Sequence, residues 1–354
     1  MLSAAVSLWA DGWLRASHMT QWVLERYKVA DDLRTDSYIR RLRLNLWGDM
    51  APHLAWKVDL RNDNIGYRES GTGEFQVGEA YLSIYGFLGD ATADLRLYRS
   101  RIDVSRTQSI GTSALVHIDR PQVSDAAAQF VSRNRRNDNI QLNLARKFLR
   151  IQLAAGRGVE ERLTDAAGVT LEGALSQKRP FYGGKIRYHR GDARQVETYF
   201  GRGSHLEVGV GYWVSPAITY RPEGAPVWYR TDHRLLNVEL SMHRRGLFLQ
   251  SEYFRFDGVV KDFLRAPSVT GSSWGWYLLG EYYLRPVAPF LRIERWDRYE
   301  EAGGYSYSSD LGGLHWYIRK NALKLGVAYG IDRYGERLGG RDVRSFKLTT
   351  QWMF

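Results

Sequence analysis

The chain has 354 residues, 44% hydrophobic and 25% charged, with 50 Lys and Arg against 39 Asp and Glu and a formal net charge of +11. It has no cysteine, which excludes disulfides, thiolate metal sites, a cysteine nucleophile and covalently attached c-type haem. No apolar run approaches the ~20 residues of a membrane-spanning helix, so any crossing of a membrane would be made by strands, whose outward residues are only every second one.

Aromatic content points the same way: 22 Tyr and 12 Trp, with 35 Gly against 9 Pro, favour aromatic-rich strands joined by tight turns. The first ten residues, Met1 to Ala10, lack a basic start, and their short apolar stretch is broken by Asp11. Export to an outer membrane requires a signal peptide, so the sequence is read as a mature or truncated form.

Alternation predicts a first strand near 12–25 and a second at 38–47, where Leu42, Leu44 and Leu46 share one face and Arg41, Arg43 and Asn45 the other. After the turn at Gly48-Asp49, Leu54, Trp56, Val58 and Leu60 oppose Lys57, Asp59 and Arg61. Similar segments follow at 76–85, 91–99, 137–145, 148–157, 181–190, 205–214, 233–243, 246–256, 273–284, 288–297, 309–319, 322–331 and 343–354. The last places Phe346, Leu348, Thr350, Trp352 and the terminal Phe354 on one face.

The total is about sixteen strands of ~10 residues, an even number as a closed bacterial barrel requires. Short links (48–51, 86–90, 146–147, 244–245, 285–287, 320–321) alternate with long ones (62–75, 100–136, 158–180, 215–232, 257–272, 298–308, 332–342). Segment 191–204 is the exception, expected as a longer turn or small hairpin on the short-link side. These features predict an all-β fold, a single transmembrane antiparallel β-barrel over 1–354 in the bacterial outer membrane. A soluble β-sandwich gives the same alternation, but with shorter strands and rarely sixteen in a meander.

Several segments, by their order and spacing, resemble the phosphate- and pyrophosphate-selective porins, the porin O and P family. They are Tyr38 to Leu44 followed by Trp56 to Leu60, Glu79 to Phe87, Phe248 to Tyr253, Pro289 to Asp297, Leu314 to Leu325, and the terminal strand. The resemblance implies a sixteen-stranded, homotrimeric porin whose third loop folds inward to narrow the pore. Two departures bear on the solute. The family's Phe-Gly pair is replaced by Ser100 to Arg106, and no Lys occurs between 58 and 146, where phosphate-selective members carry a constriction lysine. Phosphate specificity is therefore not carried over, whereas anion preference is.

The faces assigned by alternation send Arg41, Arg43, Lys57, Arg61, Arg96, Arg150, Lys185, Arg187, Arg292, Lys324 and Lys347 inward. The same rule sends Asp59, Glu79, Asp94, Glu207, Glu239, Glu252 and Glu294 inward. The long segment 100–136 is the candidate constricting loop, with Arg101, Arg106, Arg120, Arg133, Arg135 and Arg136 opposed only by Asp103, Asp119 and Asp125. A basic ring at a narrow point gives anion selectivity because the low-dielectric wall strengthens each charge felt by a passing ion. The competing interpretation is that these arginines pair with lumen carboxylates, or bind anionic lipopolysaccharide at the rim.

Expected partners are membrane lipid, lipopolysaccharide, small anionic solutes and further copies of the chain. Neither a cofactor nor a nucleic-acid partner is expected. The eight histidines are scattered, and no nucleophile–base–orienter set is legible, so an enzyme is not expected. Two other employments of a barrel stay open: export of an acidic polysaccharide, and a sheath or anchor for a partner protein.

Overall fold

A computed structural model describes residues 6–7, 14–29, 31–65, 74–132, 138–158, 175–177, 179–191, 197–198, 200, 203–220, 229–260, 269–300 and 303–354. Sixteen long antiparallel strands close into a barrel. They are β1 Arg15–Val29, β2 Asp32–Ala51, β3 Leu54–Ile65, β4 Gln76–Leu88, β5 Ala91–Arg99, β6 Asn139–Arg146, β7 Leu149–Gly156 and β8 Phe181–Gly191. The second half comprises β9 Ser204–Tyr220, β10 Tyr229–Arg244, β11 Leu247–Val260, β12 Val269–Tyr282, β13 Val287–Asp297, β14 Ser306–Asn321, β15 Leu323–Tyr334 and β16 Asp342–Met353.

Each strand pairs with its neighbour in sequence, and β16 closes on β1 with Leu348 opposite Leu24. The seam is tied at its end by Phe354, whose carbonyl accepts from the His18 amide at 2.7 Å and whose amide donates back to His18 at 3.1 Å. Closure leaves the long strands with no free edge, the condition for a sheet in lipid. Two short pieces attach to this ring, Val6–Ser7 on β1 and Leu175–Gln177 on β9.

The period of two decides which side chains meet lipid. Along β9, Leu206, Val208, Val210 and Tyr212 are exposed on the outer surface, while His205, Glu207 and Trp213 are buried inside. The same outer band continues through Leu240, Leu278, Leu291, Leu314, Tyr329 and Leu348. Beside the short turns it carries exposed aromatics, among them Phe87, Phe148, Tyr282, Trp316 and Trp352, the arrangement of an interfacial girdle. A tight turn such as Arg244 to Leu247 is possible because Arg245 and Gly246 both take positive φ, 51° and 86°, matching the twist of the flanking strands.

Strand lengths depart from the sequence expectation. They run from 8 to 20 residues, and most extend past the alternating segment at the end away from the short turns. There the interval 26–37 between the first two expected strands shrinks to the two residues between Val29 and Asp32, and 215–232 shrinks to 221–228. Backbone pairing continues above the lipid band, where both faces are wet and alternation fades. Of the expected constricting loop, 100–132 is described, and it turns into the lumen, carrying α1 Arg106–Ser109 and α2 Gln122–Val131.

Candidate functional site: the lumen and its inward-folded loop

The in-folded loop divides the lumen unequally. Its apolar side chains Ile102, Val104, Val116, Val123, Ala127, Phe130 and Val131 pack on inward-facing Trp213, Leu235, Phe254, Phe256, Tyr277, Trp296 and Leu311. Phe130 stacks on His233 at 4.0 Å and meets Phe256 edge-on at 5.3 Å. The side of the lumen formed by β9–β15 is thus filled by a hydrophobic core, where a wet interior is the ordinary barrel arrangement. Sequence alternation missed this, although Tyr253-Phe254-Arg255-Phe256 breaks the polar-in rule visibly.

Buried carboxylates on that wall hold the loop by its backbone. Glu252 accepts from the Arg106 amide at 2.9 Å, the Thr107 amide at 3.2 Å and the Ser105 hydroxyl at 2.8 Å. Glu294 accepts from the Val123 amide at 2.7 Å at the start of α2. These bonds satisfy amides that a helix start leaves without partners. Arg106 bridges to Glu207 and donates Nε to Gln250 at 3.0 Å.

The middle of the loop is held by cations. Arg41 donates to the Ile118 carbonyl at 2.6 Å and Arg292 to the Asp119 carbonyl at 2.6 Å. Lys324 donates to the carbonyls of Leu115 at 2.7 Å and Val116 at 3.2 Å. Asp119 sits between Lys347 at 2.8 Å and Arg40 at 3.0 Å. Burial pushes the Asp119 carboxyl up, but Lys347 and Arg40 outweigh that and hold it well below the usual carboxylate range. Burial keeps neighbouring His117 neutral, well below the ordinary imidazole range.

Open space lies along the other wall. Three adjoining cavities of about 190, 170 and 360 Å³ run between the loop and β1–β8 with β16, and none takes lining from β9–β15. The first two share Arg43 and Thr112; the second and third share Lys57, Glu79 and Arg101. Their cations are Arg40, Arg41, Arg43, Arg61 and Arg120, then Lys57 and Arg101, then Arg96, Arg150, Lys185 and Arg187. The carboxylates are Asp59, Asp63, Glu79, Asp94, Asp103 and Asp125. Positive charge therefore dominates the open side.

The expected site residues fall into three groups. Arg41, Arg43, Lys57, Arg61, Arg96, Arg120, Arg150, Lys185 and Arg187 line these cavities. Arg292 and Lys324 do not; both are buried against loop carbonyls and act as loop anchors. Arg133 and Arg135 lie outside the described residues. Several lining cations are compensated: Lys185 lies between Asp103 and Glu239, Arg187 bridges Asp103 and Glu239, and Lys57 meets Glu79 at 2.6 Å. Arg61 is the contrast: among the described residues its side chain forms no hydrogen bond or ion pair.

Of the other two lining cations, Arg40 was missed and Arg101 was expected only as a cation of segment 100–136. Arg101 follows β5, where alternation has ended. Arg40 was hidden by a β-bulge opposite Gln21 and Trp22, which pair with Arg41 and Ile39 and leave Arg40 as the extra residue. Tyr38 and Arg41 both point inward as a result, a parity switch that a strict period of two cannot show.

Of the short-link segment 191–204, Glu197 and Thr198 lie inside the barrel. Glu197 is 1% exposed and accepts from the Val116 amide, while the Glu197 amide donates to the Ala114 carbonyl at 3.2 Å. Burial pushes the Glu197 carboxyl up to about 7, against the opposing effects of the Val116 bond and of Arg120, Lys324 and Arg106. Among the described residues, no group of three or more His, Asp or Glu is arranged to hold a metal ion.

Neither a protein-family model nor a curated protein sequence matches the chain. Its fold is similar to that of solved porins along nearly the whole length. Salmonella typhi OmpF in complex with daunomycin aligns with a TM-score of 0.64 at 10% identity, covering 98% of this chain and 99% of that one. The anion-selective porin from Comamonas acidovorans aligns at 0.60 and 13% identity, covering 96% and 99%. The trimer form of OmpT, an outer membrane protein of Vibrio cholerae, aligns at 0.58 and 8%, covering 96% and 99%. The chain is a sixteen-stranded β-barrel of the outer-membrane type, resembling known bacterial porins in fold.

Proposed function

We propose that this barrel is a passive diffusion channel of the outer membrane that favours small anions. The observation that carries the reading is the lining of the open path, in which eleven cations face six carboxylates. Two of the arginines bring charge with no carboxylate bonded to them among the described residues: Arg61, and Arg41, which donates to the neutral Gln21 and Ile118 oxygens. Against a low-dielectric wall such charges lower the barrier to a passing anion and raise it for a cation. Guanidinium groups also present paired donors to an oxyanion, so phosphate-like solutes fit the chemistry. The apolar filling of β9–β15 narrows the route, which favours small solutes over a polysaccharide chain.

Like the OmpT barrel solved as a trimer, this one is proposed to assemble as a homotrimer. At the rim away from the short turns, exposed Arg26, Lys28 and Arg344 lie on adjacent strands, with Arg344 opposite Lys28, and suit anionic lipopolysaccharide. Single-channel recording of refolded protein, with the reversal potential taken under a KCl gradient, tests the reading. Discrete steps with chloride-selective reversal are expected, followed by competition from phosphate. Correctly folded barrels that never conduct would replace the channel with a plugged scaffold for a partner.

A further inference from the structure

β8 ends and β9 begins at the end of the barrel opposite the long loops, yet Glu197, between them in sequence, touches the constricting loop. We propose that Glu197 and Thr198 form a strut that positions the constricting loop from below, making Glu197 a positioning residue for the pore. The inference rests on the channel reading above and names a part of the molecule that controls the same passage.

Three sets of contacts carry it. At the top of the strut, the Glu197 carboxyl group accepts from the Val116 amide and its own amide donates to the Ala114 carbonyl, a two-point grip on the loop backbone. In the middle, the Thr198 hydroxyl donates to Glu281 and lies 3.0 Å from the Tyr317 hydroxyl, while Tyr317 donates to the other Glu281 oxygen at 2.6 Å. At the base, Phe200 meets Tyr317 and Tyr283 edge-on at 5.1 and 5.5 Å. The strut therefore stands on β12 and β14 and bears on the loop. Glu197 and Thr198 are both almost wholly buried, which a surface turn would not be.

The gripped stretch is continuous with the pore. Gly111, Thr112 and Ser113, immediately before Ala114, line the middle cavity with Arg43 and Arg101. That stretch has other holds, Gln351 on the Ser113 carbonyl at 2.9 Å and Lys324 on Leu115 and Val116. Both come from the wall of the last strands, so the strut supplies the support from the short-turn end. Without it, Thr112 and Ser113 lose part of what fixes their distance from Arg43, and the cavity's width is no longer set.

The test compares Glu197→Ala, Glu197→Gln and Thr198→Val in the full-length refolded protein, using amide hydrogen exchange and single-channel conductance. Removing one buried hydrogen bond should speed exchange of the Ala114 to Val116 amides about tenfold in Glu197→Ala. Amides of β9–β12 should stay protected, and conductance steps should broaden. Glu197→Gln keeps an acceptor oxygen and should restore both readouts; Thr198→Val should reproduce the alanine effect more weakly and serves if Glu197→Ala fails to fold. Unchanged exchange or unchanged conductance in Glu197→Ala, or a glutamine variant as loose as alanine, would overturn the strut. A wild-type barrel that never conducts would defeat the channel reading instead, and the exchange result alone would then judge the strut.

Discussion

Lys347 and Asp119 meet at 2.8 Å although 228 residues separate them in sequence, so the last strand of the barrel holds the middle of the loop inserted after the fifth. Lys347 also reaches Glu25 at 3.2 Å, and Asp119 also reaches Arg40 at 3.0 Å, which makes a four-member network across β16, β1, β2 and the loop. Removing either partner leaves a buried charge with less compensation, which costs more than the pair itself contributes.

A double-mutant cycle on Lys347→Met and Asp119→Asn should therefore show coupling of about 1–3 kcal/mol in the stability of loop docking, read by limited proteolysis or hydrogen exchange of 116–120. Additive single effects would mean that the two groups are held by their other partners, and that Arg40 rather than Lys347 is the main anchor of Asp119.

Selectivity should follow Arg61 more than its neighbours. Arg43 is tied to Asp63 at 2.7 Å and Arg41 to the loop backbone, so charge reversal at either changes structure as well as field. Arg61 has no such bond among the described residues. Arg61→Glu should lower the chloride-over-potassium permeability ratio severalfold with normal folding, and Arg61→Gln should fall between. An unchanged reversal potential would remove Arg61 from the conducting path.

What could be read from the sequence was what a period of two controls. Leu206, Val208, Val210 and Tyr212 against Glu207 are legible on any one strand, and sixteen such strands leave little choice but closure. Eight of the lining cations, from Arg41 to Arg187, were assigned inward the same way, whereas Arg120 was named only as a cation of the long loop. Arg40 was lost because one bulge inverts parity. The anchoring role of Lys324 and Arg292 was lost because alternation tells in from out but not what waits inside. Whether an inward cation faces water or a loop carbonyl depends on where 100–132 lies, and no local pattern encodes that. The apolar floor was partly visible in Phe254 and Phe256, whose inward position makes sense only once Phe130 and Val123 are placed against them.

Phe130 tests that floor. It is 8% exposed, stacked on His233 and edge-on to Phe256, with His233 Nδ1 3.1 Å from the Phe130 carbonyl. Phe130→Ala opens a cavity and should weaken docking of α2 by about 3–5 kcal/mol, the usual range for a buried phenylalanine. The loop would then become sensitive to protease while the barrel strands keep their protection from hydrogen exchange. Phe130→Leu should lose much less. Loss of the barrel itself in Phe130→Ala would show that the loop core is part of the barrel's stability rather than an addition to it.

Two carboxyls of the in-folded segments shift in opposite directions, and their pH dependence separates them. Asp119 is held well below its ordinary value by Lys347 and Arg40, so its contribution to docking is present above the ordinary aspartate range and fails only in strong acid. Glu197 is raised by burial to about 7, facing the Val116 amide, Arg106 and Arg120 from the loop, and Lys324 from β15, with Glu281 and Tyr317 reached through Thr198. The docked strut thus holds its proton more tightly than the free segment. Docking is strongest below the ordinary glutamate range and weakens as pH rises through about 7, because a bare carboxylate must then remain buried. Between about pH 5 and about pH 8 only Glu197 of the pair titrates, so protection of the Ala114 to Val116 amides, corrected for intrinsic exchange, should fall with rising pH. Glu197→Gln, which carries no charge at any pH, should flatten that slope while leaving the Asp119 contacts in place. A slope that survives in the glutamine variant would assign the titration to another group, and protection that rises with pH would mean that the carboxylate, not the acid, is the docked form.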